Sequence, residues 1–376
     1  MIVIFHHNDL DGRASAAIAY EYYKSLGYEN IKFVEVDYTI QLSENITEDD
    51  TAIFLDYSFS SQANVDYLTK IIKQGSRVLW IDHHASSLNV IDKSNNPELM
   101  EAYEASERTT INIDTSYSAT WLTFNYYKNC YILSQTGGDM PVKLTGMVPA
   151  FVRYVNSHDM WSYDMPETEE FVLGIDSIEY DPRTLLDMVY GDFNNIIFCI
   201  KKNISKYASN SGECECWKKY LEAETSFINK MIESGKSIKR YRDRRNEIER
   251  LYSGFEFTIV FSTTNIIRVY KGLAMNIHSN SLAFGDAIND YDVVCPFVRN
   301  KNGVWKYSLY TSKDDVDCSS IASVLGCLDY LGGGGHKKAA GFQTKTCIFD
   351  KGNYIHISPG KYNYKISIDK EMHTEE

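Results

Sequence analysis

The chain of 376 residues is 44% apolar and carries a formal net charge of −13. A chain of this length buries more than one hydrophobic core, so two domains are expected. No apolar run approaches about 18–20 residues, the length that crosses a bilayer, so no transmembrane helix is expected. Proteins that bind long nucleic acid neutralise its phosphates with Lys and Arg. The negative net charge of this chain therefore disfavours binding of long nucleic acid. It favours a small anionic substrate that is held through metal ions.

The cysteines and the N-terminal residues bear on the compartment. Eight cysteines in a chain this long, mostly inside apolar segments, favour reduced thiols over a disulfide framework. The N-terminus lacks the basic region, the long apolar stretch and the cleavage site of a signal peptide. We therefore expect a cytoplasmic protein that makes no membrane contact.

Residues 1 to about 130 alternate strand-like and helix-like segments. The predicted strands are Ile2–Phe5, Lys32–Asp37, Ala52–Asp56 and Val78–Asp82. The predicted helices are Ala14–Leu26, Asn64–Gln74 and Ser118–Tyr127, followed by a helix that opens at Pro149. This βαβ rhythm predicts an α/β domain, with a mostly parallel sheet that has helices on both faces.

The second half of the chain has a different pattern of apolar and charged residues. Residues 183 to about 250 are mostly helix-like and charged, which predicts a helical connector. The runs Phe255–Phe261, Tyr291–Val298 and Val304–Leu309 are strand-like, and Ser319–Leu325 is helix-like. They predict a smaller α+β C-terminal domain. The expected boundaries are 1–195 for the N-terminal domain, 196–250 for the connector and 251–376 for the C-terminal domain.

Acidic and imidazole side chains follow three of the predicted N-terminal strands. The first strand runs into the segment 6–12, which contains two histidines and two aspartates, and the third ends at Asp56. The fourth ends at Asp82, which His83 and His84 follow. In open α/β sheets the ligand crevice lies at the carboxyl ends of the strands. The pattern therefore predicts one shared site, most simply a metal site.

The residue types in this pattern suit a pair of divalent ions. Asp9 and Asp11 would project to the same side of an extended backbone, and His7 adds an imidazole there. Carboxylate with imidazole favours Mn²⁺ or Mg²⁺ over a thiolate-rich structural zinc site. Six ligands are too many for one ion and suit two, a recurring device for phosphoester cleavage. The expected ligands are His7, Asp9, Asp11, Asp56, His83 and Asp159.

Structural roles remain open for the same residues. Asp9 and Asp11 could serve a turn or cap a helix, and single histidines are commonly core or loop residues. Asp159 has His158 and Asp164 as close alternatives.

These residues resemble the motifs of a known family. The segments 7–12, 55–56, 82–84 and 158–159 stand in the order of the four motifs of the DHH phosphoesterase superfamily. The segment 332–342, Gly-Gly-Gly-Gly-His-Lys-Lys-Ala-Ala-Gly-Phe, looks like the signature of the DHH-associated C-terminal domain. The first motif and the Asp159-Met160-Trp161 sequence look most like the nanoRNase (oligoribonuclease) branch. Those enzymes degrade very short oligonucleotides, and some relatives hydrolyse 3′-phosphoadenosine 5′-phosphate or cyclic dinucleotides.

The resemblance implies a hydrolase with two divalent ions, Mn²⁺ ahead of Mg²⁺, and a role for each matched residue. One ion would be held by His7, Asp9 and Asp56. The other would be held by Asp11, Asp56, His83 and Asp159. His84 would contact the scissile phosphate and Asp82 would orient a ligand, while an activated water attacks the phosphorus in line. Substrate, in a cleft between the domains, would be contacted by Gly333, Gly334, Gly335, His336 and Lys337.

Several alternatives stay open within this interpretation. The chain could be a cyclic-dinucleotide phosphodiesterase, an inorganic pyrophosphatase or an idle binder that sequesters nucleotides. A processive exonuclease of the RecJ type fits the acidic charge less well, and binding of a long duplex is not expected. His6 competes with His7 as a ligand, and a homodimer is compatible with the sequence. The cation that grips a terminal phosphate could be Arg268, Arg299, Lys313 or Lys337.

Overall fold

The computed structural model describes residues 1–38, 40–59, 61–136, 148–190, 215–262, 267–278, 281–329, 331–335, 337–359 and 364–370. The chain divides into two compact units, Met1–Lys239 and Arg240–Glu376. In the part of the chain that is described, no helix is both long and apolar enough to cross a membrane. The domain boundaries expected from the sequence stay a prediction.

The N-terminal unit is built on a five-stranded parallel sheet with the strand order β2-β1-β3-β4-β5. Its strands are β1 Ile2–His7, β2 Ile31–Val36, β3 Thr51–Leu55, β4 Arg77–Asp82 and β5 Thr109–Ile113. The first five helices are α1 Leu10–Ser25, α2 Gln62–Lys73, α3 Ala85–Val90, α4 Pro97–Glu104 and α5 Ala119–Thr136. The next four are α6 Ala150–Asp159, α7 Thr168–Asp176, α8 Pro182–Tyr190 and α9 Glu215–Ser253, and the last of these continues into the sequence of the second unit.

Both faces of this sheet are covered by helices, as predicted. Along β1, Ile2 and Ile4 pack into a core with α1 and α5 to α9, whereas Val3 and Phe5 pack into a second core with α2 and α4. Successive side chains of a strand point to opposite faces. The central stretches 2–5, 52–55 and 78–81 are therefore apolar at every position, because both of their faces are buried.

Helix α1 begins earlier than the sequence predicted, and this changes the position of Asp11. Asp9 is the N-cap residue, and its side chain accepts a 2.9 Å hydrogen bond from the Gly12 amide. The expectation that Asp9 and Asp11 share an extended segment is wrong, because only Asp9 is extended and Asp11 lies in the first helical turn. A Cβ at Gly12 would lie 2.4 Å from the carbonyl oxygen of His7. Glycine therefore allows the tight passage from β1 into α1.

Helices α7 and α9 approach each other through two glycines. A Cβ at Gly174 would lie 2.0 Å from the carbonyl oxygen of Met231, and a Cβ at Gly235 would lie 1.7 Å from that of Glu170. Both clashes are with backbone, so neither can be relieved by a side-chain rotation. The two helices must move apart if either residue gains a side chain.

We expect Gly235→Ala to lower the free energy of unfolding by about 1–3 kcal/mol, the usual cost of overpacking. Chemical denaturation with urea measures the change. Ser234→Ala is the matched control, because Ser234 is an exposed neighbour in the same helix. Equal unfolding free energies for the two variants would contradict the close helix contact.

The C-terminal unit contains an eight-stranded mixed sheet with the order β10-β11-β9-β8-β7-β6-β12-β13. Its first four strands are β6 Phe255–Ser262, β7 Ile267–Met275, β8 Val293–Arg299 and β9 Trp305–Tyr310. The others are β10 Gly333–Gly335, β11 Ala339–Thr344, β12 Tyr354–Pro359 and β13 Tyr364–Asp369. Helix α10 Cys318–Leu325 and the 3₁₀ segment Ser281–Asn289 complete the described elements. The predicted α+β class is confirmed. Helix α9 covers the described part of the segment predicted as a connector, and the role of that segment as a connector stays a prediction.

Candidate metal centre

Three adjacent parallel strands deliver polar side chains to one edge of the N-terminal sheet. His7 is the last residue of β1, Asp56 follows β3, and Asp82 is the last residue of β4. Strands β1, β3 and β4 are neighbours, so their carboxyl ends lie side by side. Asp56 has a φ of 56°, a left-handed conformation that is uncommon outside glycine. This backbone turn lies at the point where the chain leaves β3.

The ring nitrogens of two histidines lie between these carboxylates. His83 Nε2 is 3.3 Å from Asp56 Oδ1, 3.2 Å from Asp159 Oδ2 and 3.9 Å from Asp11 Oδ2. His7 Nδ1 is 2.6 Å from Asp9 Oδ2 and 3.8 Å from Asp56 Oδ2. Asp56 is therefore the carboxylate that lies close to both imidazoles.

Three groups of these side chains are compact enough to hold an ion. Within each group the candidate ligand atoms lie within 4.8 Å of one another. The groups are His7 with Asp9 and Asp56, Asp11 with His83 and Asp159, and Asp56 with His83 and His84. The first two groups together contain all six expected ligands. Their role as ligands remains a prediction, but the structure brings them into one cluster.

His6, the alternative to His7, points elsewhere. Its side chain is buried against Phe33, and its Nδ1 lies 2.8 Å from the carbonyl oxygen of His7. Among the described residues, no ion-competent group includes His6. The geometry therefore favours His7.

The cluster contains buried polar atoms that no described residue satisfies. Asp56 is 1% exposed, and neither of its carboxylate oxygens has a hydrogen-bond partner. Oδ2 of Asp159 is likewise buried without a partner. Leaving an ionised carboxylate buried and unpaired is costly. These oxygens fit divalent cations, and the carboxylate and imidazole donors suit Mn²⁺ or Mg²⁺.

The pKa values reflect the crowding of negative charge. Burial, followed by the charges of Asp11 and Asp9, raises the pKa of Asp56 well above its ordinary value and that of Asp159 to about 9. For Asp9, burial acts in the same direction. The hydrogen bonds from His7 and the Gly12 amide outweigh it and lower the pKa of Asp9 to about 2. The buried members of the cluster therefore favour neutral carboxyl groups unless cations replace the protons.

Asp11 is oriented by a distant helix that the sequence did not associate with it. Its carboxylate oxygens accept hydrogen bonds from the amides of Ala119 (2.7 Å) and Thr120 (2.9 Å), at the start of α5. The N-terminus of a helix favours a negative charge through its free amides and its dipole. No sequence signal identifies this contact, because backbone amides are present at the start of every helix.

His84 is held at both ring nitrogens. Nδ1 lies 2.7 Å from Asp82 Oδ1, and Nε2 lies 3.1 Å from the hydroxyl of Tyr38. The hydroxyl of Ser87 donates to the other oxygen of Asp82. Burial acts to lower the pKa of His84, but the hydrogen bond and charge of Asp82 raise it above its ordinary value. Asp82 thus orients His84, and Tyr38 is a site residue that the sequence analysis missed.

The glycine segment of the C-terminal unit has a structural explanation as well. A Cβ at Gly333 would lie 2.1 Å from the carbonyl oxygen of Ala322 in α10, and Gly335 has a φ of 143°. Gly334 is open, with only the Ser323 hydroxyl near its Cβ position, at 3.8 Å. Lys337 is exposed, while His336 lies outside the described residues. Substrate contact by residues 333–337 stays a prediction.

Comparisons with known proteins agree with the N-terminal motifs. Residues 1–135 match the family model described as the DHH family, N-terminal domain. The chain is 21% identical over 365 residues to the protein R106 of Acanthamoeba polyphaga mimivirus, and the alignment covers 93% of this chain and 70% of that protein. The family match includes every expected ligand except Asp159.

Three solved structures are also similar. RecJ of Thermus thermophilus in complex with Mn²⁺ has a TM-score of 0.45 and 12% identity, with coverage of 91% of this chain and 49% of that chain. This chain therefore spans about half the length of the Thermus protein. An exonuclease RecJ bound to manganese has a TM-score of 0.39 and 12% identity, with coverage of 91% of this chain and 85% of that chain. The pGpG-specific phosphodiesterase PggH from Vibrio cholerae has a TM-score of 0.30 and 14% identity, with coverage of 91% and 92%.

The family match and the cluster support the same chemical class. Residues 1–135 match a DHH family domain, and the acids and histidines of that domain could hold divalent ions. Together they indicate a metal-dependent phosphoesterase, which is a hydrolase.

Proposed function

We propose that the protein is a dinuclear-metal phosphohydrolase that cleaves phosphoester bonds of short oligonucleotides or of small nucleotides such as 3′-phosphoadenosine 5′-phosphate. The observation that carries this proposal is Asp56, a buried carboxylate with no hydrogen-bond partner for either oxygen. One of its oxygens lies near His7 and the other near His83. A carboxylate in this position suits a bridge between two cations.

The charges of the cluster match two divalent ions. His7, Asp9 and Asp56 would hold one ion, and Asp11, Asp56, His83 and Asp159 would hold the other. The four carboxylates carry four negative charges when ionised, which two divalent cations balance. Mn²⁺ is proposed ahead of Mg²⁺ because each ion would have an imidazole ligand. Bound ions of this kind lower the pKa of a water and stabilise the charge that develops on phosphoryl oxygens.

The residues beside the ligands would bind and orient the phosphate. The hydrogen bond to Asp82 holds His84 with a proton on Nδ1 and raises its pKa, so that a protonated ring is favoured next to an anion. His84, whose Nε2 lies beside the Tyr38 hydroxyl, would contact the scissile phosphate and balance part of its charge. Asp11 stays fixed by the amides at the start of α5, which keeps one half of the cluster in place.

The charge of the whole chain supports a short substrate. With a net charge of −13, the protein lacks the overall positive charge that favours binding of a long polyanion. Most of the attraction for a phosphate would come from the ions and from a few local donors. Residues Gly333 to Lys337 are proposed as further contacts to the nucleotide.

A turnover panel with Mn²⁺ tests the proposed function. Its substrates are dinucleotides to pentanucleotides, 3′-phosphoadenosine 5′-phosphate, cyclic dinucleotides and pyrophosphate. We expect hydrolysis of the short linear oligonucleotides or of the small nucleotide, and loss of activity with EDTA. Preferential cleavage of cyclic dinucleotides would assign the chain to that class instead. Tight nucleotide binding without turnover would indicate a sequestering protein and would refute the proposal.

The contact between Tyr38 and His84 leads to a separate prediction. Tyr38→Phe removes one hydrogen bond to the imidazole, so we expect kcat to fall about threefold to tenfold, in line with ~0.5–1.5 kcal/mol for one hydrogen bond. Steady-state kinetics on the best substrate of the panel measures the change. Metal affinity should be retained, because Tyr38 is not among the expected ligands.

Tyr28→Phe is the control for this experiment. Tyr28 is 51% exposed and lies outside the ion-competent groups. If the two variants have the same kcat, the hydroxyl of Tyr38 does not orient His84 for the reaction.

A further inference from the structure

A small pocket lies beside the cluster, entirely within the N-terminal unit. Its volume is about 190 Å³. Three parts of the chain line it, namely the turn into α1, the end of α6 and the segment around the end of α7. The expected metal ligands Asp9 and Asp159 line it, and so do Arg13, His158, Asp176 and Tyr180. Pockets for drug-sized ligands are larger, roughly 300–1,000 Å³. This one fits a fragment of a nucleotide that is bound at the cluster.

Asp176 is the carboxylate of this pocket that the expected metal ligands do not include. It is exposed, and among the hydrogen bonds and ion pairs of the described residues none involves it. It belongs to none of the ion-competent groups. Its oxygens are therefore available to accept hydrogen bonds from a ligand in the pocket.

The charge of Arg13 is already compensated. Its Nε and Nη2 donate to one carboxylate oxygen of Glu35, at 2.9 and 2.8 Å, and its guanidinium carbon lies 5.5 Å from the centre of the Tyr180 ring. These contacts hold the guanidinium as a wall of the pocket. If two divalent ions balance the carboxylates of the cluster, Asp176 leaves the pocket negatively charged. A second phosphate would be repelled there, and a neutral group rich in hydroxyls would be accepted.

We propose that this pocket holds the sugar of the nucleotide next to the scissile phosphate, with Asp176 accepting a hydrogen bond from the 2′-hydroxyl. The inference rests on the proposed phosphoesterase function and adds a preference for RNA over DNA. An acidic side chain that accepts from a ribose hydroxyl is a known device of nucleotide sites. The 2′-hydroxyl is the group by which a protein distinguishes RNA from DNA at one position. Asp176 is therefore a specificity-determining residue.

The first experiment uses the full chain with Mn²⁺ and four substrates. Bis-p-nitrophenyl phosphate has no sugar and tests the hydrolase alone. Three matched dinucleotides carry a 2′-hydroxyl, a 2′-hydrogen or a 2′-fluorine, and the fluorine keeps an RNA-like ring without the donor. We expect kcat/KM for the ribose dinucleotide to exceed that for the deoxyribose and the 2′-fluoro dinucleotides by about tenfold to thirtyfold. This range corresponds to one hydrogen bond to a charged acceptor.

The second experiment removes the acceptor. Asp176→Ala should reduce the ratio of ribose to deoxyribose kcat/KM to about one to three, and Asp176→Asn, which keeps a carbonyl oxygen, should give an intermediate ratio. Glu179→Ala is the matched control, an exposed acid three residues away that does not line the pocket. It should retain the wild-type ratio.

The outcomes separate this inference from the proposed function. The wild-type protein could hydrolyse bis-p-nitrophenyl phosphate and show a ratio of ribose to deoxyribose kcat/KM near one. That result would overturn the sugar assignment but not the proposed hydrolase function. A wild-type preference that persists in Asp176→Ala would overturn the role of Asp176. Failure of the wild-type protein on all four substrates would overturn the proposed cleavage of short oligonucleotides, and with it the inference. The fluorine comparison needs no variant, so a folding defect in Asp176→Ala would not obscure the result.

Discussion

Asp56→Asn is expected to lower kcat for phosphodiester hydrolysis by about a hundredfold to a thousandfold, the range for losing a group that acts directly on the reacting charge. The reason is the position of Asp56 between the two halves of the cluster, with one oxygen near each imidazole. An amide cannot supply two anionic oxygens to two cations. Kinetics with Mn²⁺ at several concentrations measures the loss and shows whether more metal restores activity.

Asparagine is the informative replacement because of the backbone at this position. Asp56 has a φ of 56°, and Asn tolerates the left-handed region better than Ala does. The variant also removes a buried carboxylate from the neighbourhood of Asp9, Asp11 and Asp159. We therefore expect the melting temperature in EDTA to rise, while the gain on addition of Mn²⁺ shrinks.

Asp49→Asn controls for the charge change, since Asp49 is an exposed aspartate of the same unit. It should behave as the wild type in both measurements. Full activity of Asp56→Asn, or an undiminished Mn²⁺ effect on its melting temperature, would show that Asp56 does not hold metal.

The second large effect concerns pH. Without metal, the contribution of Asp56 and Asp159 to the stability of the protein is expected to fall as the pH rises from about 4 to about 9. Burial and mutual repulsion raise the pKa of Asp56, and they raise that of Asp159 to about 9. Over this range the folded protein binds protons that the unfolded chain has released, so raising the pH favours unfolding. Asp9, whose pKa is lowered to about 2, adds no pH dependence above about pH 5, because it is ionised there in both the folded and the unfolded state.

Metal reverses the trend, because cations replace the protons and binding becomes tighter as the pH rises. The difference in melting temperature between samples with Mg²⁺ and with EDTA should therefore grow steadily between about pH 5.5 and 8.5. Other buried acids, such as Glu224, also have a raised pKa and therefore add to the loss of stability with rising pH in the metal-free protein. Asp56→Asn isolates the part due to the cluster and should show a smaller increase. A difference that stays constant with pH would contradict this linkage.

The fold was predicted best where a local pattern determines it. The apolar runs that became β1, β3 and β4 are buried on both faces, and their composition alone identifies them. Strand β5, Thr109–Ile113, was missed because it is an edge strand with partly exposed residues and few apolar side chains. The start of α1 was misplaced because the cap at Asp9 and the acid at Asp11 were interpreted together as strand-end ligands.

The site was predictable as a set of residue types but not as a set of contacts. His7, Asp56 and His83 follow strands, and parallel strands bring their carboxyl ends together without further information. The amides of Ala119 and Thr120 lie more than 100 residues from Asp11, and nothing in either segment indicates that they meet. The contact between Tyr38 and His84 also depends on tertiary folding.

The strand order β2-β1-β3 has a consequence for how this protein can diversify. Helix α1 follows β1 on one face of the sheet, and α2 follows β3 on the other face. The connections after these two adjacent strands therefore turn in opposite directions and leave an opening between them. Exposed side chains line the opening there, among them Tyr38 and Asp176. Substitutions at the edge of this opening can change the nucleotide specificity without lowering the stability of the sheet and its two cores. Natural variants with altered substrate range should therefore differ first at the edge of this opening and last at the strand ends.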